Sequence, residues 1–186
     1  MIPESDPRIP RGIATIDPGR VEVHFDGACE PPKGGGVATF GFVVDGAGLY
    51  HEDGGLAVRP HVPHATNNVA EYVAAIRALE WLRDQRYRGA VLMIGDSQLV
   101  VRQMQGEYRV RAEHLVAYHQ WLERLTKEFS QVEFRWVPRE ENQHADALSK
   151  HALAEAVGDA RRHRPATPVI ALDEDEVEDA EAPKED

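Results

Sequence analysis

Residues 21–44 read VEVHFDGACEPPKGGGVATFGFVV. Val21, Val23 and Phe25 alternate with Glu22, His24 and Asp26, the period-two spacing of a half-buried strand. The glycine- and proline-rich run Cys29 to Gly36 reads as a loop. Val37 to Val44 is dense in β-branched and aromatic residues and reads as a second strand. Asp45-Gly46 then marks a hairpin turn. A third strand is expected over Leu49 to Val58, weakened by Gly54-Gly55. Three strands joined by tight turns predict an antiparallel meander.

Beyond this meander the period changes. Val69, Val73, Ile76, Leu79 and Leu82 form a helical stripe within Asn68 to Arg83. Ala90 to Ile94 is a short apolar run, the pattern of a strand covered on both faces. A short helix is expected over Ser97 to Gln105 and a longer one over Arg111 to Phe129. Val132, Phe134 and Trp136 alternate as a fifth strand that Pro138 stops. A last helix is expected over Gln143 to Ala156. The order βββ-α-β-α-α-β-α predicts an α/β fold: a five-stranded mixed sheet, three strands antiparallel and then two parallel, flanked by helices.

Outward from this body, residues 1–19 read as an irregular arm interrupted by Pro3, Pro7, Pro10 and Pro18. The domain spans 20–157. Residues 158–186 read as a basic linker, with Arg161, Arg162 and Arg164, followed by an acidic tail whose composition disfavours order. The chain has 186 residues and a formal net charge of −11. Nine acids and one lysine lie in Asp173–Asp186, so that segment carries −8 and the preceding 172 residues only −3. Whole-chain charge therefore neither favours nor disfavours a nucleic-acid partner. No run approaches the ~20 apolar residues of a membrane span, and the N-terminus lacks the basic-then-apolar pattern of a signal peptide. The single cysteine, Cys29, makes no internal disulfide and predicts a reducing, cytoplasmic setting. The expected oligomeric state is monomer.

Four acids stand at predicted element junctions: Asp26 at the end of strand one, Glu71 in the first turn of the first long helix, Asp96 after strand four, and Asp146 early in the last helix. Each has a plainer role when taken alone. Asp26-Gly27 suits a turn, Glu71 with Asn68 suits a capping box, Asp96 suits a helix cap, and Asp146 complements a helix dipole. As a set they would converge at one edge of the sheet and repel one another unless cations neutralise them. Hard divalent ions with oxygen ligands, such as Mg²⁺, fit that arrangement, and a pair of them suits phosphodiester hydrolysis.

The segments Phe25-Asp26-Gly27-Ala28-Cys29, Thr66-Asn67-Asn68-Val69-Ala70-Glu71, Gly95-Asp96-Ser97-Gln98-Leu99-Val100 and Asn142-Gln143-His144-Ala145-Asp146-Ala147-Leu148 resemble type 1 ribonuclease H, in the family's order. The resemblance covers residues 20–156. It implies an endoribonuclease that hydrolyses the RNA strand of RNA/DNA hybrids with two Mg²⁺ ions, Mn²⁺ being a possible substitute, and leaves 5′-phosphate and 3′-hydroxyl ends. Asp26, Glu71, Asp96 and Asp146 are then the metal-binding carboxylates, with Asp26 between the two ions. Asn67, Asn68 and Gln98 match amide positions suited to 2′-hydroxyls, and Thr66, beside a helix N-terminus, suits a phosphate. Archaeal-like members also cut duplex RNA, which has the same A-like shape.

The chain departs from the family in three ways. The loop before the last acid is Pro138-Arg139-Glu140-Glu141, without the histidine many members carry there; Arg139 or His144 is the candidate substitute. The lysine- and tryptophan-rich handle of some members is reduced to Gly106-Glu107-Tyr108-Arg109-Val110-Arg111. The N-terminal arm lacks the content of a separate hybrid-binding domain. Two other readings belong to different classes. An exonuclease of the same superfold usually opens with Asp-x-Glu, and here the third residue is Ala28. A non-catalytic hybrid binder gains nothing from four converging carboxylates. Trp81, Trp121 and Trp136 are expected in or near the core, and Cys29 as a packed small residue. Arg83, Arg86 and Arg88 are expected to complement the end of the first long helix.

Overall fold

The computed structural model describes residues 19–162. The N-terminal arm, through residue 18, and the tail from residue 163 lie outside the described residues.

Five strands form one sheet: β1 (Val21–Glu30), β2 (Val37–Gly46), β3 (Leu49–Leu56), β4 (Ala90–Gly95) and β5 (Gln131–Trp136), in spatial order β3-β2-β1-β4-β5. β1 pairs antiparallel with β2, and β2 with β3, while β4 runs parallel to both β1 and β5. This is the expected mixed sheet. Among the described residues four helices accompany it: α1 (Asn67–Asp84), α2 (Gln98–Met104), α3 (Glu113–Thr126) and α4 (Gln143–Arg162). A single 3₁₀ turn, Arg139–Glu141, leads into α4.

Strand alternation divides the helices between the two faces. Val21, Val23 and Phe25 of β1 join Phe42 and Val44 of β2 in a core closed by Tyr72, Ile76, Leu79 and Leu82 of α1 and Leu115, Leu122 and Leu125 of α3. On the other face α4 crosses β1, β2 and β3. Gly41 admits it, since a Cβ there would come within 2.5–2.8 Å of Ser149, Ala145 and Leu148. The helix therefore rests on bare strand backbone, and its early residues are set close to β1.

Several expected boundaries shift. Asp26 does not end β1: the strand continues to Glu30, because β2 goes on pairing with it as far as Val37. What ends near Asp26 is the parallel partner, since β4 pairs with β1 only over Val21–His24. The hairpin turn sits at Ala47-Gly48, both with positive φ, between the paired residues Gly46 and Leu49. That is the twist a two-residue hairpin needs, so Asp45 stays in the strand. β3 stops at Leu56 rather than Val58. The α1 N-cap is Thr66, whose hydroxyl accepts from the Val69 amide at 3.3 Å. Asn68 is thus inside the helix rather than its cap, and Glu71 stands in the second turn. Ser97 caps α2. α3 is shorter than expected at both ends. α4 runs to Arg162, taking in Gly158 and part of the expected linker. Trp81 packs against the core and stacks on His51, but Trp121 and Trp136 are exposed. Arg88 does serve the end of α1, donating to the Arg83 carbonyl at 2.9 Å.

Among the described residues no helix is long and apolar enough to cross a membrane.

Candidate active site: a carboxylate cluster where the sheet splits

Past His24, β1 has lost β4 but keeps β2, and the sheet opens. Acids from both sides meet at this split. Asp26 comes from β1 itself. Glu71 comes from α1, which lies directly on the strand because Gly27 has no side chain; a Cβ there would overlap the Glu71 amide nitrogen and Ala70. Asp96 follows β4, and its backbone is anchored by β5: Trp136 Nε1 donates to the Asp96 carbonyl at 3.0 Å, and the Val137 amide to Gly95 at 3.1 Å. One carboxylate oxygen from each of Asp26, Glu71 and Asp96 lies within 4.8 Å of the others.

Asp26 and Glu71 are buried, and no ion pair reaches any of the three acids among the described residues. The electrostatic consequence is direct. Burial, reinforced by the charges of Asp96 and Asp146, pushes Asp26 from its ordinary 3.8 up to about 7, against the hydrogen bond from Ser149. Burial pushes Glu71 well above the carboxylate range, aided by Asp26 and Asp96 and opposed by the Gly27 amide and Arg139. Asn67 Nδ2 sits 3.5 Å from Glu71 Oε1, but Glu71 Oε2 is buried with no hydrogen-bond partner. An orphaned buried oxygen beside two further carboxylates matches what a hard divalent cation needs from its ligands. The residues present therefore fit such a cation.

Asp146 is treated differently. It projects from the first turn of α4 and is held by Arg139, which donates to Oδ1, and by Lys150, which donates to Oδ2 at 2.7 Å. Burial works to raise its pKa, but the bonds from Lys150 and Arg139 outweigh it and hold the group below its ordinary value. The structure thus gathers three of the four sequence-predicted acids into one cluster and leaves Asp146 beside it, paired to cations of the chain. The Asp146 charge still acts on Asp26.

The other predicted residues fall around this centre. Thr66 caps α1, Asn67 reaches Glu71, and Asn68 is half-buried at a cavity it shares with Leu99. Gln98, the first residue of α2, is exposed. Arg139 reaches the site through Asp146. His144 does not: its Nε2 lies 2.8 Å from Glu52 on β3.

Two residues without an assigned role in the sequence reading hold the acids in place. Asn142 is buried, donating through Nδ2 to the Phe25 carbonyl at 2.9 Å and to Asp96 Oδ1 at 3.2 Å. Its Oδ1 faces His24 Nδ1 at 3.2 Å. Ser149 is buried and donates to Asp26 Oδ2, while its carbonyl accepts from Thr39 Oγ1 at 2.8 Å. Asn142 opens the motif that contains Asp146, and Ser149 lies one turn further on. Their spacing from Asp146 is the only sign of them in the sequence.

A five-stranded sheet in this order, with acids gathered at its split, defines the ribonuclease H class of fold. Residues 25–152 match the family model described as "Reverse transcriptase-like". Ribonuclease HI of Halobacterium salinarum is 36% identical over 138 residues, 74% of this chain and 66% of that protein. The crystal structure of RNase H1 from that archaeon superposes with a TM-score of 0.65, covering 74% of this chain and 99% of the other at 34% identity. LC11-RNase H1, solved in complex with an RNA/DNA hybrid, is 34% identical with a TM-score of 0.63, over 74% of this chain and 99% of that one. The N-terminal RNase H domain of the Mycobacterium tuberculosis protein Rv2228c is 30% identical with a TM-score of 0.67, over 76% and 98%. The chain spans about 30% of the length of that whole bifunctional protein. This chain belongs to the reverse transcriptase-like family and is similar in sequence and structure to the archaeal type 1 ribonuclease H of Halobacterium salinarum.

Proposed function

We propose that the protein is a ribonuclease H, an endoribonuclease that hydrolyses the RNA strand of RNA/DNA hybrids with two divalent ions, Mg²⁺ or Mn²⁺, leaving 5′-phosphate and 3′-hydroxyl ends. The observation that carries this reading is the Asp26, Glu71 and Asp96 cluster with its orphaned Glu71 oxygen. A pure binding module for a polyanion would not gather three acids without a cation of the chain, two of them buried, where the phosphates must come.

Asp26, Glu71, Asp96 and Asp146 are the residues that would hold the ions. When bound, the ions supply a more acidic attacking water and charge stabilisation for the departing oxygen. Ser149 and Asn142 keep Asp26 and Asp96 aimed into the split, so the ligand set is ordered before substrate arrives. Asn67, Asn68 and Gln98 are proposed to read 2′-hydroxyls, and Thr66 and Arg139 to contact phosphate. The enzyme is taken to act as a monomer in the cytoplasm.

The test is cleavage of a hybrid labelled on either strand, with Mg²⁺ or Mn²⁺, EDTA, and an Asp96→Asn control. Duplex RNA, single-stranded RNA and duplex DNA run in parallel. RNA-strand cutting lost in both controls is expected. Failure of either metal to support cutting of a hybrid that the folded protein binds would return the chain to the binding class. The duplex RNA lane decides whether the substrate range extends beyond hybrids.

A further inference from the structure

A cavity of about 490 Å³ opens between the start of α2 and the short loop that leads into α3. Its floor is apolar, formed by Leu99, Ala112 and Leu115, and its rim carries Tyr108, Arg109 and Arg111. Asn68 of α1 closes the side toward the carboxylates. Tyr108 is 49% exposed, and Arg102 lies over its ring at 5.6 Å. The one acid on the rim, Glu107, is already paired with Arg102 at 2.5 Å. Arg109 and Arg111 are exposed and have no ion pair among the described residues. The groove therefore offers two free guanidinium groups over an apolar floor, next to a position proposed to read the hybrid.

The segment after α4 has the complementary sequence. Pro168-Val169-Ile170-Ala171-Leu172 is apolar, and Asp173-Glu174-Asp175-Glu176-Val177-Glu178-Asp179 follows at once. Ten residues separate Arg162 from Asp173. At about 3.3 Å per residue they span roughly 35 Å, about the diameter of a domain this size, and the six residues between Arg162 and Val169 span roughly 23 Å.

We propose that this C-terminal segment docks in the α2–α3 groove of its own chain, Val169–Leu172 on the apolar floor and the following acids on Arg109 and Arg111, and competes there with nucleic acid. A segment tethered to its own domain by a short stretch of chain is presented at an effective concentration near the millimolar range, so weak docking suffices. The contact depends on ionic strength because the guanidinium groups are exposed. Docking itself does not depend on the hybrid reading; the competition does.

Two experiments separate them. The first uses the full chain with Cys29→Ala and Ala180→Cys, a nitroxide on residue 180, and amide NMR without nucleic acid. At low salt the label is expected to broaden Tyr108, Arg111 and Leu115, and the effect should vanish with R109E/R111E or at about 0.5 M salt. Absence of broadening, or broadening centred on another surface, overturns the docking. Broadening that disappears on dilution with unlabelled protein overturns it in favour of contact between copies. The second experiment measures hybrid binding by full-length chain in which the nine acids of 173–186 are replaced by their amides. An affinity gain of about 3- to 10-fold at low salt is expected from releasing a tethered competitor. An unchanged affinity overturns the competition even where the label reports docking. R109E/R111E weakening hybrid binding in that amide background, with no label contact in the first experiment, marks the groove as a nucleic-acid surface instead.

Discussion

The two sides of the carboxylate cluster are held by opposite means. On the inner side, Asp26, Glu71 and Asp96 are crowded together with no ion pair among the described residues, and burial raises Asp26 and Glu71. On the outer side Asp146 is neutralised by Arg139 and Lys150 and lies below its ordinary pKa. The chain completes the outer acid with its own cations, and among the described residues none of its cations pairs with the inner three. Inner charge is therefore a cost in the unliganded protein, whereas Asp146 is a modest gain.

The strongest way to break this comparison is to remove inner charge. Asp26→Asn and Asp96→Asn are each expected to lower hybrid cleavage on the order of 10³-fold, the scale of losing a preorganised electrostatic group at a reaction centre. Asp26→Asn should also raise the melting temperature of the metal-free protein at pH 8, by about 5 °C, and abolish the stabilisation that Mg²⁺ gives the native chain. Calorimetry with and without EDTA reads both. A variant that loses activity and stability together would mean that the triad is structural.

Next in size are the positioning residues. Asn142→Ala strands the Phe25 carbonyl and frees Asp96, and Ser149→Ala removes the bond that lowers Asp26. Each should cost about 10- to 100-fold in metal affinity or activity. Titrating Mg²⁺ at fixed hybrid separates the two: an apparent metal constant that does not move would show that neither residue acts through the ligands.

A smaller effect follows from the opposite shifts. Asp26 titrates near 7 when folded and near 3.8 when not, so between those values the folded chain keeps a proton that the unfolded chain has released. In EDTA the contribution of Asp26 is thus most favourable below about pH 4 and falls as pH rises toward 7. Glu71 has the same sign. Asp146 has the other: its contribution is present above its ordinary value and is lost as pH falls below it. Urea unfolding in EDTA should show stability declining from pH 5 to 8, flattened by saturating Mg²⁺ and by Asp26→Asn. A rise over that range would contradict the inner-side assignment.

Much of this arrangement is legible in the sequence, and the limits have physical causes. The alternation at 21–25, the apolar run at 90–94 and the helical stripe at 69–82 carry the sheet and its order because each has one dominant period. The four acids stand out because they recur beside small and amide residues in four separate segments. That Asp26 lies inside a strand was not legible, since it depends on where β4 stops pairing, a non-local fact. The roles of Gly27 and Gly41 depend on helices arriving from distant segments. Ser149 reads as one more polar helix residue until α4 is laid on Gly41. A place within regular elements suggests Trp121 and Trp136 in or near the core, but both are exposed, and Trp136 serves the site from there through its indole N–H.

The smallest effect concerns Arg139, where the outer side is tested by itself. Arg139 is exposed and shares Asp146 with Lys150, and exposed pairs of this kind are worth at most about 1 kcal/mol. Arg139→Ala should therefore lower hybrid cleavage only about 2- to 5-fold, with Lys150 still holding the acid, and Arg139→Ala with Lys150→Ala should lower it further. If Arg139 acts only through Asp146, the salt dependence of hybrid binding stays unchanged. If its guanidinium also meets a phosphate, as proposed for the loop that lacks a histidine, the slope of log affinity against log salt should shrink by about 0.9. Binding measured in Ca²⁺ at several salt concentrations reads that slope without turnover. A slope change in Arg139→Ala but not in Lys150→Ala would assign the two cations different work: Lys150 completes Asp146, and Arg139 is divided between the acid and the substrate.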